Sequence, residues 1–193
     1  MNTRARVCID RVRPRDLMRF QMTRRTGAGG GPRLRAIAPL GKTWINGSTL
    51  RVRFMDGTDA QKALVRTQAN WWAVVANLKF DFNDAHDAEI RIGFDEGDGA
   101  WSYIGTDCKD IAVNERTMNL GFLDGDTTAH EFGHAIGLAH EHQNPDGGIQ
   151  WNESVVIAEL KKSPNFWNEA TTRHNVLDKY RADQINGTKF DPK

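Results

Sequence analysis

Apolar and polar side chains alternate in three short stretches of this chain. Thr49 to Met55 (TLRVRFM), Leu78 to Phe82 and Ala88 to Phe94 (AEIRIGF) put apolar groups at every second position, the period of a strand with one buried face. Asp56-Gly57 closes the first of them as a turn. From Asp59 to Asn77 the period changes. Ala60, Leu64, Trp71, Val75 and Leu78 recur at spacings of three, four or seven, which predicts a helix lying on the sheet with its tryptophans in the core. His86 falls in a polar loop and is expected to be solvated. The acidic DEGDG at 95 to 99 lacks the full ligand series of a calcium loop, so a plain turn is expected. Thr117 to Leu123 supplies a last strand, and Asp124-Gly125-Asp126 leads into a second helix with Asp126 or Thr127 as N-cap. Thr128 and Glu131 also match a capping box, but that start would leave His130 at a frayed end. Farther on, Asn152 to Lys162 and Asn168 to Tyr180 have helical spacing, separated by a Ser163-Pro164 stop.

The second helix carries the candidate chemistry. His130 to His140 reads HEFGHAIGLAH. On a helix, His130 and His134 stand about 40° apart around the axis and about 6 Å apart along it, so both imidazoles project from one face and can reach one metal. Glu131 lies beside them, placed to serve as general base toward a water without taking a coordination position. In a continuous helix His140 would point about 80° away from His130 and lie about 9 Å beyond His134, too far for a zinc-nitrogen bond of about 2 Å. The helix must therefore break, and Gly137 sits where the break is needed, since glycine enters the left-handed conformation without steric cost. Three histidines leave a fourth position open, the mark of a catalytic rather than a structural zinc. The expectation is one Zn2+ held by His130, His134 and His140, with Glu131 as the catalytic residue.

At this point the chain resembles the metzincin zinc endopeptidases, and Glu141 after the third histidine makes it similar to the astacin-like branch. GAWSYIGTD at 99 to 107, TMNLGF at 117 to 122 and HEHQNP at 140 to 145 carry the same resemblance, which covers roughly residues 42 to 193. It implies that Ala100 to Thr106 is an edge strand above the cleft, with Trp101, Ser102, Tyr103 and Ile104 aligning an extended peptide; ordinary core packing of those side chains is the alternative. It implies, too, a methionine turn after the third histidine. All five methionines (Met1, Met18, Met22, Met55, Met118) precede the motif, so the chain is expected to stop before that turn, with an incomplete C-terminal subdomain.

Charge divides the chain. Residues 1–40 hold ten Arg, no Lys and two acids, whereas the remainder holds 16 basic and 23 acidic residues. With AGGG at 28 to 31 and Pro32 and Pro39 nearby, residues 1–41 are expected to form a flexible Arg-rich extension preceding a domain at 42–193. The extension suits a solvated arm, a pro-segment lying on the acidic body, a contact to nucleic acid or a membrane surface, or a targeting peptide. Cys8 and Cys108 are too few for a disulfide framework. A Cys8 thiolate blocking the metal is disfavoured because RVCIDR lacks the local pattern of matrixin-type switches. No apolar run approaches the roughly 20 residues of a membrane span, and no secretion signal is visible. The combined expectation is an α+β, zincin/metzincin-like domain with a mixed twisted sheet, a backing helix and an active-site helix. Its function would be zinc-dependent endopeptidase acting on a protein or peptide as a monomer, without nucleic acid. The alternative is a zinc-binding or peptide-binding module that has lost turnover with its methionine turn.

Overall fold

A computed structural model describes residues 7–11, 13 and 37–186. In chain order the elements are β1 (Ile9–Arg11), β2 (Ala38–Pro39), β3 (Thr49–Phe54), α1 (Asp59–Val75), β4 (Lys79–Asp81), β5 (Ile90–Gly93), β6 (Ala100–Tyr103), β7 (Met118–Leu120), α2 (Thr127–Ala135), α3 (Glu153–Leu160), α4 (Glu169–Thr172) and β8 (Ile185–Asn186). The fold is mixed α+β, and the chain divides into two compact units. Among the described residues no helix is long and apolar enough to cross a membrane.

The larger unit, which among the described residues comprises 9–11, 13 and 41–138, holds the six-stranded sheet. Its strand order is β1-β6-β7-β5-β3-β4, parallel except for the antiparallel β6–β7 pair. The alternation in β3 puts Leu50, Val52 and Phe54 inside and leaves Arg51 toward solvent, where it binds Asp87 and Glu89. In β5 every residue is buried, Arg91 included. Its guanidinium donates to the carbonyls of Ala88, Ile111, Ala112 and Glu115, so the buried charge also staples the loop ahead of β7.

Thr58 caps α1 in a capping box with Gln61, and the helix forms as its spacing predicts. Its buried face differs from the expected one. Val65, Gln68 and Ala69 are buried with Trp72 packed against the core, whereas Trp71, Val75 and Leu64 are exposed. The inward stripe contains a glutamine, which an apolar count passes over. Gln68 is there because its amide completes the start of α2: it donates to the Gly125 carbonyl (2.9 Å) and accepts from the Ala129 amide (3.2 Å). Gln68→Leu preserves volume but strands both backbone groups; it is expected to cost about 1–3 kcal/mol of unfolding free energy. A urea titration of the two proteins measures this, and an unchanged midpoint would show that the bridge contributes nothing.

Of the described residues, the smaller unit holds 7–8, 37–40 and 139–186. β2 and β8 pair antiparallel, and the Ala139 amide donates to the Ile37 carbonyl (2.8 Å). Asn152 and Asn168 cap α3 and α4 through their side chains. The helix expected from Asn168 to Tyr180 is shorter. α4 ends at Thr172 and passes into a π-type turn over Arg173–Leu177, closed by the Asp178 amide on the Arg173 carbonyl. The carbonyls of His174 and Asn175 in that turn face Gln143 and His142.

Candidate metal centre

The segment HEFGHAIGLAH runs from one unit into the other, and each part is held by its own surroundings. In the larger unit, the N-cap of α2 is Asp126 and not Thr128, which is buried within the first turn, so Glu131 is not the partner in a capping box. The residues between the histidines seat the helix. Phe132 meets Phe80 edge-on (5.0 Å between centroids), and Trp72 Nε1 donates to the Ala129 carbonyl (2.6 Å). Gly133 lets the Trp72 ring approach so closely that a Cβ there would lie 3.1 Å from it. With that face fixed in the core, His130 and His134 turn the same way, and their Nε2 atoms lie 3.1 Å apart. Two nitrogens on one tetrahedral zinc, each about 2.05 Å from it, stand about 3.3 Å apart, so the pair is already close to ligand spacing.

The helix then stops. The Gly137 amide donates to the His134 carbonyl (2.8 Å) and the Leu138 amide to the Gly133 carbonyl (3.0 Å), the two bonds of a Schellman cap, with Gly137 at φ 112°. The turn brings the Leu138 carbonyl to His134 Nδ1 (2.9 Å). A carbonyl can only accept, so Nδ1 carries the proton and the Nε2 lone pair is directed to a metal. Glu131, between the two histidines in sequence, is fully buried.

Two contacts beneath this turn were not legible beforehand. The Lys42 carbonyl accepts from the Thr106 amide, and Gly105 (φ 51°) passes so close that a Cβ there would lie 1.8 Å from the same oxygen. Gly137 packs on Lys42 and Thr43, so Gly105, Lys42 and Gly137 form one backbone contact under the helix end. Only the glycine in SYIGTD hints at it.

In the smaller unit, His140 precedes a tight turn, Glu141–Gln143, and stacks on His142 at 5.0 Å. His142 Nε2 is 2.9 Å from the Asn175 carbonyl, and buried Gln143 donates to the carbonyls of His174 (2.6 Å) and Asp178 (3.2 Å). Asn144 donates to Glu141 (2.8 Å). The histidine is thus held by a turn that is itself held by the π segment. Cys8 belongs to this unit, and its sulfur lies within 4.8 Å of a ring nitrogen of His140. The sequence pattern around Cys8 spoke against that placement.

Of the residues expected to align a substrate, Trp101, Ser102 and Tyr103 lie in β6 and Ile104 directly follows it. Trp101, Ser102 and Ile104 are almost wholly buried, while Tyr103 is half-buried and meets Trp101 edge-on. β6 is not an edge, however. β1 pairs with it in parallel, Ile9 opposite Trp101 and Arg11 opposite Tyr103, because Arg11 lies over the Trp101 ring (3.9 Å) and its Nη2 meets both Asp98 carboxylate oxygens (2.7 and 2.9 Å).

The sequence pattern of the Astacin peptidase family matches residues 36–181. The chain belongs to the astacin family. Protein SpAN of Strongylocentrotus purpuratus is 30% identical over 132 residues, 63% of this chain and 21% of that protein. Zinc metalloproteinase nas-36 of Haemonchus contortus is 30% identical over 108 residues, 53% of this chain and 17% of its own. The chain therefore spans about a fifth of the length of these astacin relatives. A solved structure of myroilysin superposes with a TM-score of 0.75 at 34% identity, covering 80% of this chain and 79% of that one. The astacin-type donor set His130, His134 and His140 can bind a metal, and three imidazoles suit zinc.

Proposed function

We propose that this chain is a zinc-dependent metalloendopeptidase, with one zinc held by His130, His134 and His140 and with Glu131 as general base and acid. The observation that carries the reading is the convergence of two Nε2 atoms on a helix that keeps Glu131 buried between them and ends in a glycine-capped turn before the third histidine. Membership of a family whose relatives are named zinc metalloproteinases supports it. Zinc, when bound, supplies Lewis acidity toward the scissile carbonyl and makes a water acidic near neutral pH. The remaining work belongs to the chain. Glu131 takes the proton from the attacking water and passes it to the leaving amine nitrogen as the C–N bond breaks. The Leu138 carbonyl keeps His134 in the tautomer that binds metal, and the substrate is a protein or peptide in extended form.

The test is the appearance of new peptide termini in an unfolded protein, read by mass spectrometry with zinc and with a chelator. Termini that appear with zinc and vanish with the chelator support the endopeptidase. A folded, zinc-loaded protein that generates none would make the chain a binding module instead.

A further inference from the structure

We infer that two copies of this chain pair in solution through the outer face of α1, packed antiparallel about a two-fold axis, in place of the monomer expected from the sequence. The inference is independent of the metal centre. Along α1, Ala60, Leu64, Thr67, Trp71 and Val74 recur at alternating spacings of four and three, the seam of a heptad helix. That seam faces outward. Leu64 is 36% exposed, Trp71 51%, Val74 84% and the adjoining Val75 74%, and Ala60, Ala63, Thr67 and Asn70 are exposed as well. From Ala60 to Val75 the stripe runs about 22 Å along the helix. A single surface valine needs no explanation, but a stripe presenting roughly 500 Å² of mostly apolar surface reaches the size that marks an interaction site.

Charge and side-chain size select a second copy as the occupant. Of the charged residues in α1, Asp59 opens the helix, and Lys62 and Arg66 turn aside over Phe54 and Phe82, so no charge falls on the stripe. A nucleic acid would require cations there, whereas an uncharged face can meet itself across a two-fold axis without repulsion. Size changes along the stripe. Its first half carries Ala60 and Ala63, and its second half carries Trp71, Val74 and Val75. Ala60, Ala63, Leu64 and Thr67 stand at i, i+3, i+4 and i+7, the four corners of a hole that receives one knob from a facing helix. Antiparallel pairing with Thr67 near the axis lays the Trp71 ring of each copy into the hole of the other. Parallel pairing would instead set tryptophan against tryptophan and alanine against alanine, crowding one end and leaving the other empty. Roughly 500 Å² from each copy is below the ~800 Å² per partner of a standard interface, so the dimer is a weak one, with a Kd of about 10–100 µM. The opposite side of the helix seats α2 through Gln68 and Trp72, so pairing braces the support of the histidine helix from behind.

Sedimentation equilibrium of the full chain, at concentrations from about a tenth of that Kd to about ten times it, reads the pairing directly. Monomer at the low end and dimer at the high end are expected. Trp71→Glu removes the knob and Ala63→Lys fills the hole, and each is expected to weaken pairing at least about tenfold. Both positions are exposed, so both variants should fold, and a thermal melt of each checks this. Mixing them decides the geometry. A Trp71→Glu chain keeps its hole and an Ala63→Lys chain keeps its knob, and antiparallel pairing brings the introduced carboxylate beside the introduced ammonium at the other end. The mixture is therefore expected to recover a dimer that neither variant forms alone. A chain that stays monomeric throughout overturns the inference, as does a dimer that Trp71→Glu leaves unchanged, or a pair of folded, monomeric variants that does not recover on mixing. Cosedimentation of a monomeric chain with phosphatidylcholine vesicles, lost in Trp71→Glu, would assign the face to a lipid surface instead. None of these outcomes bears on the zinc peptidase reading, which peptide cleavage tests separately.

Discussion

Glu131→Gln is expected to lower peptide cleavage by about a thousandfold while leaving zinc content and fold intact. The size follows from what is removed. A positioned general base contributes about a hundred- to ten-thousandfold, and glutamine can neither take the proton from water nor return one to the amine. The substitution is chosen for its volume. Glu131 is fully buried, so alanine would add a cavity to the loss of chemistry, whereas glutamine fills the same space. Metal analysis, a thermal melt and the cleavage rate are read on the same samples. Loss of zinc with Glu131→Gln would mean that the carboxylate is a ligand, and an unchanged rate would mean that another group moves the proton. His134→Ala should behave in the opposite way, losing zinc, because its Nε2 is one of the two nitrogens already near ligand spacing.

The site was readable in the sequence to the extent that it is local. His130, Glu131, His134 and Gly137 act through helix geometry, and helix geometry depends on spacing alone. The alternation of β3 was legible for the same reason. Contacts between distant segments were not. The face that α1 buries is decided by Gln68, whose value lies in two backbone groups at Gly125 and Ala129, so a count of apolar residues selects the wrong stripe. Trp71 was consequently expected in the core and is exposed. The family resemblance implies an edge strand at β6, and only the pairing with Ile9–Arg11, some ninety positions earlier, occupies that edge. The π-type turn at Arg173–Leu177 follows from the acceptors that Gln143 and His142 require, which helical spacing cannot reveal.

Gly105→Ala is expected to be the most damaging single methyl in the larger unit, costing about 3–5 kcal/mol of stability and most of the zinc affinity of the folded remainder. Two effects combine. Gly105 has φ 51°, where a side chain costs about 1 kcal/mol in any surroundings. Its Cβ would also lie 1.8 Å from the Lys42 carbonyl oxygen, a backbone atom that cannot swing aside as a side-chain tip can. That oxygen accepts from Thr106, so moving it breaks a hydrogen bond. It also shifts Lys42 and Thr43 against Gly137, whose turn presents the Leu138 carbonyl to His134. Stability and metal affinity should therefore fall together. Gly125 is the matched control: its φ of 54° is nearly the same, but nothing lies within 4 Å of its Cβ position. Gly125→Ala should lose only the conformational share, about 1 kcal/mol, and keep its zinc. Denaturant unfolding and zinc titration of the two variants separate the terms. Equal losses would show that the contact with Lys42 carries no weight, and the Gly105–Lys42–Gly137 support for the helix end would have to be abandoned.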